Sequence, residues 1–151
     1  MTKQILVLLA CTLLASAAFA GNNGIIKKKS IHSVTVTLDR LENILVKKGI
    51  TVALRWKHSD KAKGVGMAMN DTEVLIFGNP KLGSPLMLSN QEIGIDLPLK
   101  ALAYKDASGQ VWLSYNDPAY LKKRHGITDQ DKVFDKMSGV LNKLTGKAVG
   151  K

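Results

Sequence analysis

Between Ile76 and Leu99 the chain reads IFGNPKLGSPLMLSNQEIGIDLPL, which places a Gly-Asn-Pro turn, a Gly-Ser-Pro turn and an Asp-Leu-Pro step in one short window. Each proline fixes its own φ, removes a backbone donor and pushes the residue before it toward extended geometry. No long helix or long central strand can pass through such a stretch. The window must therefore be a series of short pieces between larger elements, as an architectural crossover or a ligand-facing centre.

The first twenty residues read as a secretory leader. Lys3 supplies a positive start, Ile5 to Leu14 an apolar run, and Ala18-Phe19-Ala20 a small-x-small cleavage site. Thr12 and Ser16 interrupt the run and Gly21-Asn22-Asn23-Gly24 follows it, so it falls short of the roughly 18 to 20 apolar residues of a spanning helix. Leu8-Leu9-Ala10-Cys11 only loosely resembles a lipobox, because the apolar run continues past Cys11. Cleavage after Ala20 leaves 131 of the 151 residues, enough for one domain with a real core. The expected compartment is the periplasm or the secreted fraction. Cys11 is the one cysteine and lies in the leader, so disulfides and cysteine catalysis are excluded from the mature chain.

The formal charge of the whole chain is +10, and without Lys3 it is one less. The lysines are scattered, with short clusters only at Lys27-Lys28-Lys29 and Lys122-Lys123-Arg124. With export, this pattern argues against nucleic acid. It fits a solvated surface with at most weak attraction to anionic envelope surfaces.

Along the mature chain, residues 21–29 read as a flexible lead-in and 30–145 as a single domain, with 146–151 a loose tail. Ile31 to Val36 is rich in β-branched residues and reads as the first strand. Thr37 fits the N-cap of a helix with Leu38, Leu41, Ile44 and Leu45 at helical spacing, closed by Gly49. Alternation in Ile50 to Trp56 predicts a second strand, and a short helix follows about Lys61 to Lys63. The apolar run Val74-Leu75-Ile76-Phe77 suits a strand buried on both faces. A short helix from Pro80 or Pro85 to about Leu88 comes next, then an extended piece over Ile93 to Asp96. Leu99 to Tyr104 and Gln110 to Tyr115 flank a Ser108-Gly109 turn and predict an antiparallel hairpin. Asp117-Pro118 opens a helix to Arg124, and Thr128 caps a last helix to about Thr145. This order implies an α+β domain, a mostly antiparallel sheet with helices packed on one face.

Several phrases together resemble the domain of unknown function 302 family over about residues 33 to 125. They are the helix Leu38 to Lys48 closed by Gly49-Ile50, then His58, Ala62, Gly66, Phe77-Gly78-Asn79-Pro80, Gly83, Pro85-Leu86-Met87, Ile95-Asp96-Leu97-Pro98-Leu99 and Tyr115-Asn116-Asp117-Pro118. The resemblance implies a TATA-binding-protein-like α+β topology and no established activity, and fold alone carries no function over.

Among the matched positions, His58, Asn79, Asp96 and Asn116 are the candidate ligand-binding residues, joined by Asp117 and Arg124 as usable side chains. His58 with Asp96 would form an acid/base pair for hydrolysis if a nucleophile such as Ser84 stood nearby. No Gly-x-Ser-x-Gly elbow supports this, and turn and cap roles explain the same residues. Met67, Met69 and Met87 with His58 offer soft ligands for Cu(I), although methionines more often fill cores. His32, His58 and His125 form no metal-binding spacing, so no metal or cofactor is assigned. Gly64-Val65-Gly66 lacks the third glycine of a dinucleotide loop. The sequence thus points to an exported, non-catalytic small-ligand-binding or envelope-stress module, with a small-molecule ligand and a second copy in a homodimer as its candidate partners. A His/Asp hydrolase and a copper-binding protein are its alternatives.

Overall fold

The computed structural model describes residues 23–150; the expected leader lies outside them. Five strands, β1 (Ile25–Ser30), β2 (Thr51–Lys57), β3 (Thr72–Gly78), β4 (Leu99–Lys105) and β5 (Val111–Asn116), form one sheet. Its order is β1-β5-β4-β3-β2, and every neighbouring pair is antiparallel. The helices are α1 (Val34–Lys47), α2 (His58–Gly64), α3 (Pro80–Ser89), α4 (Pro118–Arg124) and α5 (Asp131–Ala148), with a 3-10 turn over Gln91–Ile95. α1 lies across β2 to β5, and α5 packs on α1 and β1. The α+β class expected from the sequence is the one observed.

The first strand is displaced from its expected place. Residues 25–30 are ordered as β1, and Val34 to Thr37 belong to α1. Ser33 is the N-cap, its Oγ accepting from the Val36 amide at 3.2 Å. The Thr37 hydroxyl donates instead to the Ser33 carbonyl and meets Ser30 Oγ, each at 2.7 Å. The β-branched run is overridden because Val34, Thr37, Leu38, Leu41 and Leu45 fall on one helical face, and all are buried. Burying each of the three leucines is worth about 1.5–3 kcal/mol, more than the propensity cost of the β-branched residues. Gly49, at φ +67°, ends the helix in a conformation that a Cβ disfavours.

β1 is an edge strand made of Ile25-Ile26-Lys27-Lys28-Lys29-Ser30, and lysine is a usual guard of such edges. Lys28 faces the helices and donates to the Asn142 carbonyl and Oδ1 at 2.6 and 2.7 Å. β3 is buried on one face rather than two. Glu73, Leu75 and Phe77 point under α1, while Val74 and Ile76 are half-buried on the other side. The piece Ile93 to Asp96 is 3-10 rather than extended, because Asn90 Oδ1 accepts from the Glu92 amide at 2.9 Å and starts a turn.

The last helix is capped at Gln130, with no side-chain bond from Thr128, and it continues through the expected loose tail. Ala148 and Val149 are fully buried, Arg40 donates to the carbonyls of Lys147 and Ala148, and the Ile31 amide donates to Val149 O. Packing against the start of α1 orders residues that look unremarkable in sequence.

Candidate functional site

A mostly apolar cavity of about 460 Å³ lies between the end of β3, α3 and the inner face of α5. The Gly-Asn-Pro signature builds one wall. Asn79 caps α3 by accepting from the Lys81 amide at 3.0 Å, and Pro80 takes the first helical position. A Cβ on Gly78 would stand 3.3 Å from Pro98 Cβ, so the glycine admits the Leu97-Pro98 segment, whose peptide bond is cis, against the strand end. Leu97, Pro98 and Leu99 form the second wall, with Phe77 and Leu45 at the floor. The apolar stripe of α5 closes the third through Met137, Val140, Leu141 and Leu144.

Thr51, Asn79 and Ser84 are the polar side chains among the lining. The Asn79 Oδ1 is occupied by the cap, leaving its Nδ2 amino group to donate. Ser84 is exposed. A cavity of this size, apolar with a few polar groups, fits the usual form of a small-molecule site. It is poorly suited to a bare ion, which would lose its hydration without recovering it from the walls.

Asp96 lies outside that lining, bonded to Arg124 and His125, which with Gln91, Glu92 and Ile95 line a neighbouring cleft. Its carboxylate is buried and doubly engaged. Oδ2 is 2.6 Å from His125 Nε2, and Oδ1 accepts from Arg124 Nη1 at 3.2 Å. The His125 side chain is 6% exposed, and its carbonyl accepts from Asn90 Nδ2 at 2.9 Å. Asp96, Asn90 and His125 thus tie the turn after α3 to the end of α4, while Ser89 Oγ donates to Asp129 Oδ1 at 2.5 Å nearby. That bond holds the Asp129 carboxyl below its ordinary range.

The structure separates most of the residues that the sequence grouped. His58 begins α2 beside the Lys57–Glu73 end of the sheet, whereas Asp96 precedes the strand that meets Phe77 at the other end. Five residues of β3 intervene, about 16 Å of extended chain. The His58/Asp96 pair is therefore not assembled, and His125 is the histidine beside Asp96. Asn116 ends β5 opposite Ile25, and Asp117 caps α4 through the Ala119 amide at 2.9 Å. Of the four expected ligand residues, only Asn79 lines the cavity. Met87 lines it too, but Met67 and Met69 lie exposed in the loop between α2 and β3, which divides the thioether set. Among the described residues no group of three or more His, Cys, Asp or Glu can hold a metal ion.

A second polar cluster lies under α1. Glu73 is 4% exposed and accepts from Arg55 Nε and Nη2 at 2.9 and 2.8 Å and from Thr35 Oγ1 at 2.8 Å. Arg55 also pairs with Asp39. Burial works against the Arg55 charge, yet the bonds to Asp39 and Glu73 outweigh it and raise its pKa above the ordinary value. With its acceptors and donors matched, this cluster clamps α1 to β2 and β3.

A family model described as "Domain of unknown function DUF302" matches residues 26–144. The solved structure of an uncharacterized conserved DUF302 protein from Bacillus stearothermophilus superposes with a TM-score of 0.67 at 18% identity, covering 84% of this chain and 96% of that one. That likeness is one of fold. Among curated proteins, "Fluoride-specific ion channel FluC 1" of Brucella suis is 42% identical over 106 residues, 70% of this chain and 42% of the relative. The protein of the same name from Brucella abortus matches equally, over 39% of its length. The chain thus spans less than half the length of these relatives.

Proposed function

We propose that this chain, which belongs to the DUF302 family of domains of unknown function, is a non-catalytic module that binds a small, largely apolar ligand between α3 and α5. The observation that carries the reading is the 460 Å³ cavity, lined by apolar side chains with Asn79, Ser84 and Thr51 as the polar exceptions. The ligand would have an apolar body and one polar group able to accept from Asn79. A hydrolytic role for His58 and Asp96 loses support, since the two are at opposite ends of the sheet and Asp96 is already engaged. On the leader reading, the module works in the periplasm or outside the cell, where a thiol-free domain is at no redox disadvantage.

A second setting has its own support in the partial match to the fluoride channels. No described helix is long and apolar enough to cross a membrane. In that setting the matched stretch would be an appended ligand-sensing module, with the pore in the unmatched part of those proteins.

The test is displacement of a fluorescent apolar probe from the purified protein. Val140→Trp fills the cavity from α5 and is expected to abolish saturable binding with the thermal transition retained. Probe binding that survives Val140→Trp unchanged would exclude this cavity as the site.

A further inference from the structure

The helices leave one face of the sheet open. Alternation places Ile25, Lys27 and Lys29 of β1 on that face, since Lys28 and Ser30 point toward the helices. Trp112 and Tyr104 follow on β5 and β4, paired with each other and aligned with Lys29. Trp56 stands opposite Val74 at the far side. Both tryptophans of the chain are thus on this face.

Three ammonium groups lie over its rings. Lys29 Nζ is 5.5 Å from the Trp112 centroid, Lys27 Nζ 5.9 Å from that of Tyr104, and Lys61 Nζ, reaching over from α2, 4.8 Å from that of Trp56. Leu54 and Trp56 are 46% and 41% exposed beside them. The strand positions facing this side, 25, 27, 29, 54, 56, 72, 74, 76, 100, 102, 104, 112, 114 and 116, include no aspartate or glutamate. At the centre Ser114 is buried with no partner for its Oγ.

We propose that this face docks on an anionic lipid bilayer. The surface carries lysines and no acid at its strand positions, the Asp106 carboxylate standing at its rim on Trp112 Nε1, and with exposed Leu54 and Trp56 it complements negative headgroups above an apolar interior. Lysines with apolar stems, tyrosine and tryptophan are the side chains that sit at such an interface. Two other occupants match less well. A second copy laid face to face would set lysines against lysines with no acid at the facing strand positions. Single-stranded nucleic acid binds by stacking bases on bare rings, and here the rings carry ammonium groups. The inference is independent of the cavity reading.

The experiment compares sedimentation of the protein with mixed phosphatidylglycerol/phosphatidylcholine vesicles and with phosphatidylcholine alone, reading tryptophan emission in parallel. Partitioning to the anionic vesicles with a blue shift is expected. The triple variant Lys27→Gln, Lys29→Gln, Lys61→Gln is expected to weaken it about a hundredfold, at roughly a factor of five per lysine near an anionic surface. The control Lys132→Gln, Lys136→Gln, Lys143→Gln removes the same charge from exposed positions of α5 on the helix side and keeps most of the partitioning. Circular dichroism melts establish that both variants fold. Equal losses in the two triple variants would reduce the effect to net charge and overturn the proposal. So would equal binding to neutral vesicles, tighter binding to oligothymidylate, or a dimer that shields both tryptophans.

Discussion

Replacing Asp96 by alanine should destabilise the fold, and the structure sets the size of the loss. The Asp96 side chain is 10% exposed and bonds to a histidine whose side chain is 6% exposed. A hydrogen bond involving a charged group is worth about 1.5–3 kcal/mol, and removing one partner leaves the buried imidazole nitrogen unpaired. The Arg124 guanidinium is half-exposed, and its pair with Asp96 adds less than about 1 kcal/mol. The sum is about 3 kcal/mol, or near 11 °C in Tm at roughly 2.1 cal/mol/K per residue for a domain of this size. Asp96→Asn keeps an acceptor and should lose about half as much, while Arg124→Ala should lose under about 1 kcal/mol. Urea unfolding of Asp96→Ala, His125→Ala and the double variant at pH 7 closes a cycle with a coupling of about 1–2 kcal/mol. Loss of less than about 1 kcal/mol in Asp96→Ala, or a coupling near zero, would refute the structural role given to this pair.

Three further outcomes follow from single interactions. The Asp106 carboxyl is held down to about 2 from 3.8, first by the Ser108 hydroxyl and then by Trp112 Nε1, as it organises the β4–β5 turn. A depressed acid stabilises the fold above its unfolded value and ceases to do so as pH falls through the folded one, so Tm should drop between about pH 4 and 2. Asp106→Asn should lose that part of the acid limb, and a wild-type-minus-variant difference constant over the range would contradict it. Ser33→Ala should cost about 1 kcal/mol through the lost cap of α1, read by chemical denaturation; no change would move the helix start elsewhere. Glu73→Ala should cost about 3 kcal/mol, because it strips the Arg55 guanidinium and Thr35 of their buried acceptor. A cost no greater than that of an exposed pair would show the clamp to be dispensable.

The class of fold was legible because the strongest local signals agree with it. The α1 stripe, the Gly49 stop, the Ser108-Gly109 hairpin turn and the Asp117-Pro118 cap all act within a few residues, and all stand where expected. What the sequence concealed depends on distant contacts. β1 is ordered by pairing with β5, some ninety positions on, and Val149 by its bond to Ile31. The site followed the same division. Asn79 was legible as the turn residue of a dense Gly/Pro signature, but His125 as the partner of Asp96 left no spacing to read. The α5 stripe was legible as a core face. Its second task, walling a cavity, arises only when α3 stands off from it.

If the space between α3 and α5 receives an apolar ligand, methionine methyl groups report on it directly. Met87 and Met137 line the cavity, whereas Met67 and Met69 lie in the α2–β3 loop. In a methyl-labelled titration with a medium-chain fatty acid as probe, saturable shifts of the Met87 and Met137 resonances are expected, with Met67 and Met69 unmoved. Shifts of equal size at all four, or none at Met87 and Met137, would contradict that placement of the ligand.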